Sequence, residues 1–148
     1  MLREILVPYD FTKFANIAFE KALEIAEKFN SKLTLLTIIG ADIDTSGMSL
    51  SRAQEVHDEK EDKIKHELEL IKNSGKYQGI DISIKIINSP SIVNGIISFV
   101  DKNDIDLIVM GSHGRSGIQK LVLGSVASEV IAKANCHALI AKPPKTKK

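Results

Sequence analysis

"IDLIVMGSHGRSGIQKLVLGSVASEV", residues 105–130, reads as an apolar strand, a glycine-rich segment and an amphipathic helix in immediate succession. After Asp106 the strand "IDLIVM" is a short run of Leu, Ile, Val and Met without polar alternation, the pattern of a strand covered on both faces. The helix opens near Gly124 and Ser125 and turns Val126, Val130 and Ile131 inward. Strands of this kind belong to parallel sheets, because a parallel neighbour is reached through a crossover and the crossover helices cover the sheet.

The same alternation extends in both directions from that stretch. Four further apolar runs read as strands: "EILVP" (4–8), "KLTLLTII" (32–39), "IDISIKII" (80–87) and "HALIAK" (137–142). Between them lie three amphipathic segments. The first runs from Thr12, a suitable N-cap, to Phe29, with Ala15, Ala18, Ala22, Ile25 and Phe29 at helical spacing. The second spans residues 50–73, with Ile64, Leu68 and Ile71 on one stripe and "HDEKEDK" as a solvated face. In the third, Ser89 and Pro90 supply a cap and a first-turn proline, and Val93, Ile97 and Val100 form the buried stripe. Residues 39–49, "IGADIDTSGMS", read as a surface loop, a plain connector or else a cover for a ligand. The expectation is a single doubly wound α/β domain with a five-stranded parallel sheet and four helices.

At 148 residues the chain fits one domain, taken as residues 1–143, followed by a disordered basic tail at 144–148. A formal charge of +1 offers no global field for nucleic acid or an anionic membrane. The lone Cys136 leaves no internal disulfide and no zinc-type spacing, which suits a reducing cytoplasm. "MLREILVPYD" is too short in its apolar run for a signal peptide core, and no uninterrupted 18-residue apolar span occurs.

In a doubly wound sheet a ligand lies beyond the carboxyl ends of the strands, where the winding reverses. That rule selects "YDFT" after the first strand and the glycine segment after the fourth. Gly111 and Gly114 lack a Cβ, so they can take positive φ and let a ligand approach the main chain. The helix start at Gly124 and Ser125 supplies unpaired N–H groups and a partial positive charge, which together favour a phosphate. Ser125 has a hydroxyl to donate or to cap with, and Arg115 or Lys120 is placed to clamp charge. Across the switch point, Asp10 is placed to accept from a ribose hydroxyl or a base amino group, or else simply charges a helix start.

Other chemistries fit less well. The pair Gly75 and Lys76 fails the Walker spacing, "VPYDFT" contains no dinucleotide glycines, and "IINSP" lacks a receiver-type aspartate at the third strand's end. His57 and His66 lie half a turn out of phase on one helix and cannot share a metal. His113 shows no evident Asp or Ser partner to make it a general base.

With "ILVPYDFT", "IDLIVMGSHGRSG" and the spacing G-x2-G-x9-G-[ST] at Gly111, Gly114, Gly124 and Ser125, the whole chain resembles the ATP-binding branch of the universal stress protein family. The resemblance implies strand order 3-2-1-4-5 in an adenine nucleotide alpha hydrolase-like fold, and ATP, with or without Mg2+, between the first and fourth strands. It implies Asp10 at the adenosine, Pro8 and Ile38 at the base, and Met110 and Gly111 at the ribose or phosphates. Gly114, Gly124, Ser125 and Val126 would surround the phosphates, where Arg115 also falls. A homodimer through His137 to Lys142 is implied too, and an edge strand there would need such a partner. The chain reads "DFT" where the family commonly has "DGS", which places Phe11 to crowd or cover the base. The expected function is a nucleotide-dependent regulatory or stress-response protein rather than an enzyme. A slow ATPase or phosphotransferase, or an interaction dimer with a vestigial pocket, stands as the alternative.

Overall fold

A computed structural model describes residues 1–41, 43–74, 77, 79–114 and 123–144. Along the chain run β1 (Glu4–Pro8), α1 (Lys13–Phe29), β2 (Lys32–Gly40), α2 (Leu50–Lys72), β3 (Ile82–Ser89), α3 (Ile92–Lys102), β4 (Leu107–Gly111), α4 (Ser125–Lys133) and β5 (His137–Ala141). All strand pairs are parallel and the order is β3-β2-β1-β4-β5. This is the doubly wound sheet expected from the alternation, in the order implied by the resemblance.

The period of two within each central strand divides the core into two layers. Ile5 and Val7 of β1 and Leu107 and Val109 of β4 join Ala18, Phe19, Ala22, Ile64 and Leu68 on the face covered by α1 and α2. Leu6, Ile108 and Met110 point the other way, onto Val93, Ile96, Phe99, Ala127 and Val130 of α3 and α4. Because β1 and β4 feed both layers, neither has room for a polar residue between its ends, which is why their inner positions lack alternation.

Several local expectations shift. β3 starts at Ile82 rather than Ile80, because Ile80 N–H turns back to the Tyr77 carbonyl and the first ladder bond is Leu33 N–H to Asp81 O. The cap of α3 is Ser91, whose Oγ accepts from Asn94 N–H, and not Ser89, which is the last paired residue of β3. Ser89 Oγ instead accepts from Ser91 N–H, closing the turn across Pro90, so the proline lies ahead of the helix. Phe29 is 59% exposed and Ile131 44% exposed, so neither is a core position. Phe29 stands at the last residue of α1, beyond the sheet, and the inward stripe of α4 is carried by Ala127 and Val130. Thr12 caps α1 as expected. No helix among the described residues is long and apolar enough to cross a membrane. Residues 145–148 of the basic tail lie outside the described residues.

Candidate functional site

β1 and β2 separate just after Pro8. The last bond between them is Tyr9 N–H to Leu36 O at 2.8 Å. The Tyr9 carbonyl, which would next accept from Ile38 N–H in a continuing ladder, accepts instead from Thr37 Oγ1 at 2.7 Å. Peptide groups alternate sides along a strand, so the N–H and C=O of Ile38 face the side that β1 has left.

The chain then turns sharply into α1. Asp10 Oδ1 accepts from Thr12 N–H at 3.1 Å and from the Thr12 hydroxyl, and Thr12 Oγ1 accepts from Ala15 N–H at 3.2 Å. Asp10 thus anchors the helix start that the sequence offered as its alternative role, while its Oδ2 faces Gly114, where a Cβ would stand 3.3 Å away. Phe11 between them adopts φ 65°. That left-handed conformation carries its ring onto the edge of Tyr9, 4.9 Å between centroids, and into the core. Phe11 therefore does not line the cavity where the resemblance puts the base.

On the other side of the switch point the glycines act through space rather than through positive φ. Neither Gly111 nor Gly114 is left-handed; among the described residues the glycines at positive φ are Gly40, Gly47 and Gly79. A Cβ at Gly111 would meet the Phe14 carbonyl oxygen at 2.7 Å and its carbon at 2.8 Å, so a glycine is needed for the first turn of α1 to lie against β4. Beyond it, Ser112 is buried, and its carbonyl accepts from Gly124 N–H at 2.6 Å. A Cβ at Gly124 would press at 3.2 Å on both Ser112 O and His113 Cα, so this closure too asks for a glycine. Ser112 Oγ lies 3.0 Å from His113 Nδ1, which gives His113 the serine partner that the sequence did not reveal. The His113 ring rests against Phe14, 5.2 Å between centroids. Gly124 is also the N-cap of α4 and brings no side chain to cap it, which leaves the amides of the first turn directed at whatever lies before the helix.

These parts surround a cavity of about 330 Å³, within the range of small-ligand sites. Pro8, Asp10 and Ile38 line it from the β1 and β2 side, and Met110, Gly111, Gly114, Gly124, Ser125 and Val126 from the β4 and α4 side. Arg115 and Lys120 lie outside the described residues. The structure adds His113, Thr37, Ala41, Lys60 and Ile64 from the α2 side, and Ile92 and Ile96 of α3. Lys60 and Ile64, like Ile92 and Ile96, are four apart on one helix face, a spacing visible in sequence but without a signal that the face meets a cavity. Among the described residues no three His, Cys, Asp or Glu side chains gather as a metal site.

A model of the universal stress protein family matches residues 1–142. The chain belongs to the universal stress protein family. Within the family, universal stress protein MJ0531 of Methanocaldococcus jannaschii is 28% identical over 149 residues, covering 98% of this chain and 85% of that protein. The solved structure of MJ0577, a universal stress protein of the same organism, matches at TM-score 0.85 and 26% identity over 99% of each chain. Two more distant universal stress protein structures share the fold and were solved with ligands. One is a complex with cAMP, at TM-score 0.62 and 19% identity over 97% of this chain and 98% of that one. The other, from Archaeoglobus fulgidus, is a complex with dAMP, at TM-score 0.60 and 18% identity over 95% of this chain and 97% of that one.

Proposed function

We propose that this universal stress protein binds ATP in the cavity beyond β1 and β4 and acts as a nucleotide-dependent regulator in a stress response. The observation that carries the reading is the hydrogen bond from Gly124 N–H to Ser112 O, which holds the start of α4 at the mouth of a cavity whose opposite wall carries Asp10. Amides of the first turn, with the Ser125 hydroxyl, are suited to phosphate oxygens. Asp10 Oδ2 is suited to accept from a ribose hydroxyl. At the far end Pro8, Ile38 and Met110 offer apolar surface to a flat ring. The N–H and C=O of Ile38 form a donor beside an acceptor, the complement of the N1 and amino edge of adenine. Complexes of relatives with cAMP and dAMP support an adenine nucleotide as the ligand class. An accompanying Mg2+ would be held chiefly by the phosphate oxygens, with Asp10 the carboxylate that lines the cavity.

A second copy of the chain is the other partner in this reading, paired along β5 at the sheet edge through His137 to Lys142. The single Cys136 supports a cytoplasmic setting. The test is the nucleotide content of freshly purified, denatured protein, followed by calorimetric titration of the emptied protein with ATP. Recovered adenine nucleotide and saturable binding are expected. No nucleotide and no binding would replace this reading with an interaction dimer, and steady release of ADP would make the protein a slow ATPase.

A further inference from the structure

Gly95 is buried in the first half of α3, with its N–H on the Ser91 carbonyl at 3.0 Å. Glycine is the poorest helix former after proline, so a buried one inside a helix signals a need for space. The three atoms nearest to that space all belong to one side chain. A Cβ at Gly95 would stand 2.9 Å from Ile38 Cδ1, 3.2 Å from Cγ2 and 3.3 Å from Cγ1, so every branch of Ile38 lies against the bare stripe of the helix.

Ile38 is the β2 residue that lines the cavity just where β1 departs, and its two α3 neighbours on the cavity wall, Ile92 and Ile96, flank Gly95 in sequence. Carbon atoms rest at about 3.5–4.0 Å, so a methyl at position 95, 2.9 Å from Cδ1, would force Ile38 to yield by about 0.6–1.1 Å at its tip. Cδ1 can turn aside about χ2, but Cγ1 and Cγ2, at 3.3 and 3.2 Å, are set by χ1, which is stiff in a β-branched side chain. On the sheet side Ile38 is held in register with Ile87 of β3, and the open volume beside it is the cavity.

We propose that Gly95 is a positioning residue for the site: without lining the cavity, it lets Ile38 recede and so sets the width of the slot that admits a planar heteroaromatic ring. The inference rests on the nucleotide reading for the identity of that ring, and its structural half stands apart from it. A residue larger than glycine at position 95 narrows the ring end and leaves the phosphate end, built by Gly114, Gly124 and Ser125, as it was.

The test compares wild type, Gly95→Ala, Ile38→Val and the double variant. Ligand-free crystal structures read the position of Ile38, and calorimetry reads the affinities for ATP and for inorganic tripolyphosphate, which lacks a ring. In Gly95→Ala, Ile38 should shift into the cavity by about 1 Å. ATP affinity should fall about tenfold or more with tripolyphosphate unchanged, and removing Cδ1 in the double variant should restore most of the loss. An unmoved Ile38, an equal loss for both ligands, or no rescue by Ile38→Val would overturn the proposal. If wild type binds no ATP, the nucleotide reading falls, and the displacement of Ile38 still decides whether Gly95 sets the wall.

Discussion

The Ser112 carbonyl accepts the Gly124 amide at 2.6 Å, so the chain leaves β4 and enters α4 at one point, although twelve positions of sequence separate the two residues. The Ser112 hydroxyl holds its neighbour His113 at the same place. Because the clasp is made by main-chain groups, side chains at its edge are free to differ without moving the helix start, provided that none fills the cavity itself.

Gly114 is the position where that proviso is tested. A valine there would direct its branches toward Asp10 Oδ2, which already stands 3.3 Å from an added Cβ, and into the volume assigned to phosphate. ATP affinity should fall at least about tenfold in calorimetry, while the unfolding free energy changes by about 0.5 kcal/mol or less because the residue is not in the core. Equal affinity in Gly114→Val would remove the phosphates from this end of the cavity.

Gly111 should respond the other way. Its missing Cβ is required by the main chain of Phe14, 2.7–2.8 Å from where the methyl would be, and backbone atoms in the first turn of α1 cannot step aside as a flexible side-chain tip can. Gly111→Ala should cost about 1–3 kcal/mol in urea unfolding, the usual penalty for overpacking. A variant as stable as wild type would mean that α1 slides on β4 at little cost.

Those two glycines show what the sequence carries and what it hides. Their spacing placed both at the cavity, but it could not distinguish a glycine that borders open volume from one pressed by a neighbouring helix, since Phe14 meets Gly111 only in three dimensions. The strands were legible because β1 and β4 are covered on both faces and leave an unbroken apolar run. The start of β3 and the cap of α3 were less so, because turns at Gly79 and Pro90 redirect hydrogen bonds that composition does not record. Likewise the ring of Phe11 goes to the core through a left-handed backbone that nothing in "DFT" announces. Lys60 and Ile92 reach the cavity through the packing of α2 and α3, a property of the assembled layers and not of either helix alone.

At the opposite end of the sheet, Asp106 Oδ2 accepts from the amides of Arg3 at 2.9 Å and Glu4 at 2.8 Å, tying the start of β1 to the start of β4. The Glu4 amide first, then that of Arg3, holds the carboxyl below its ordinary pKa. A carboxylate whose folded pKa is depressed binds its proton more weakly in the native state, so its contribution is complete above the unfolded pKa and is lost as pH falls through the folded one. Asp106→Ala should therefore lower stability at neutral pH and leave a flatter acid limb below about pH 4. The effect should be about 1 kcal/mol or less, because the carboxylate is well solvated. Parallel stability–pH curves for wild type and variant would assign the acid sensitivity elsewhere.

The dimer proposal has a test built on the ladder geometry of β5. Asp106 N–H donates to Glu4 O, so the even-numbered peptide groups of β4 face β1 and those of Leu107 and Val109 face β5. In a parallel pair centred on Val109 and Leu139, the bonding partners on β5 are the residues flanking Leu139, namely Ala138 and Ile140. The N–H of Leu139 consequently points away from the sheet, toward the edge where a second copy would pair. Proline lacks that N–H and is tolerated on an edge strand when the missing donor faces outward, so Leu139→Pro should spare the β4–β5 ladder while blocking pairing from outside. Light scattering after size exclusion should then show monomer where wild type shows dimer, with exposed edges making insoluble protein the extreme form of the same result. A dimer that survives the proline would move the interface off β5.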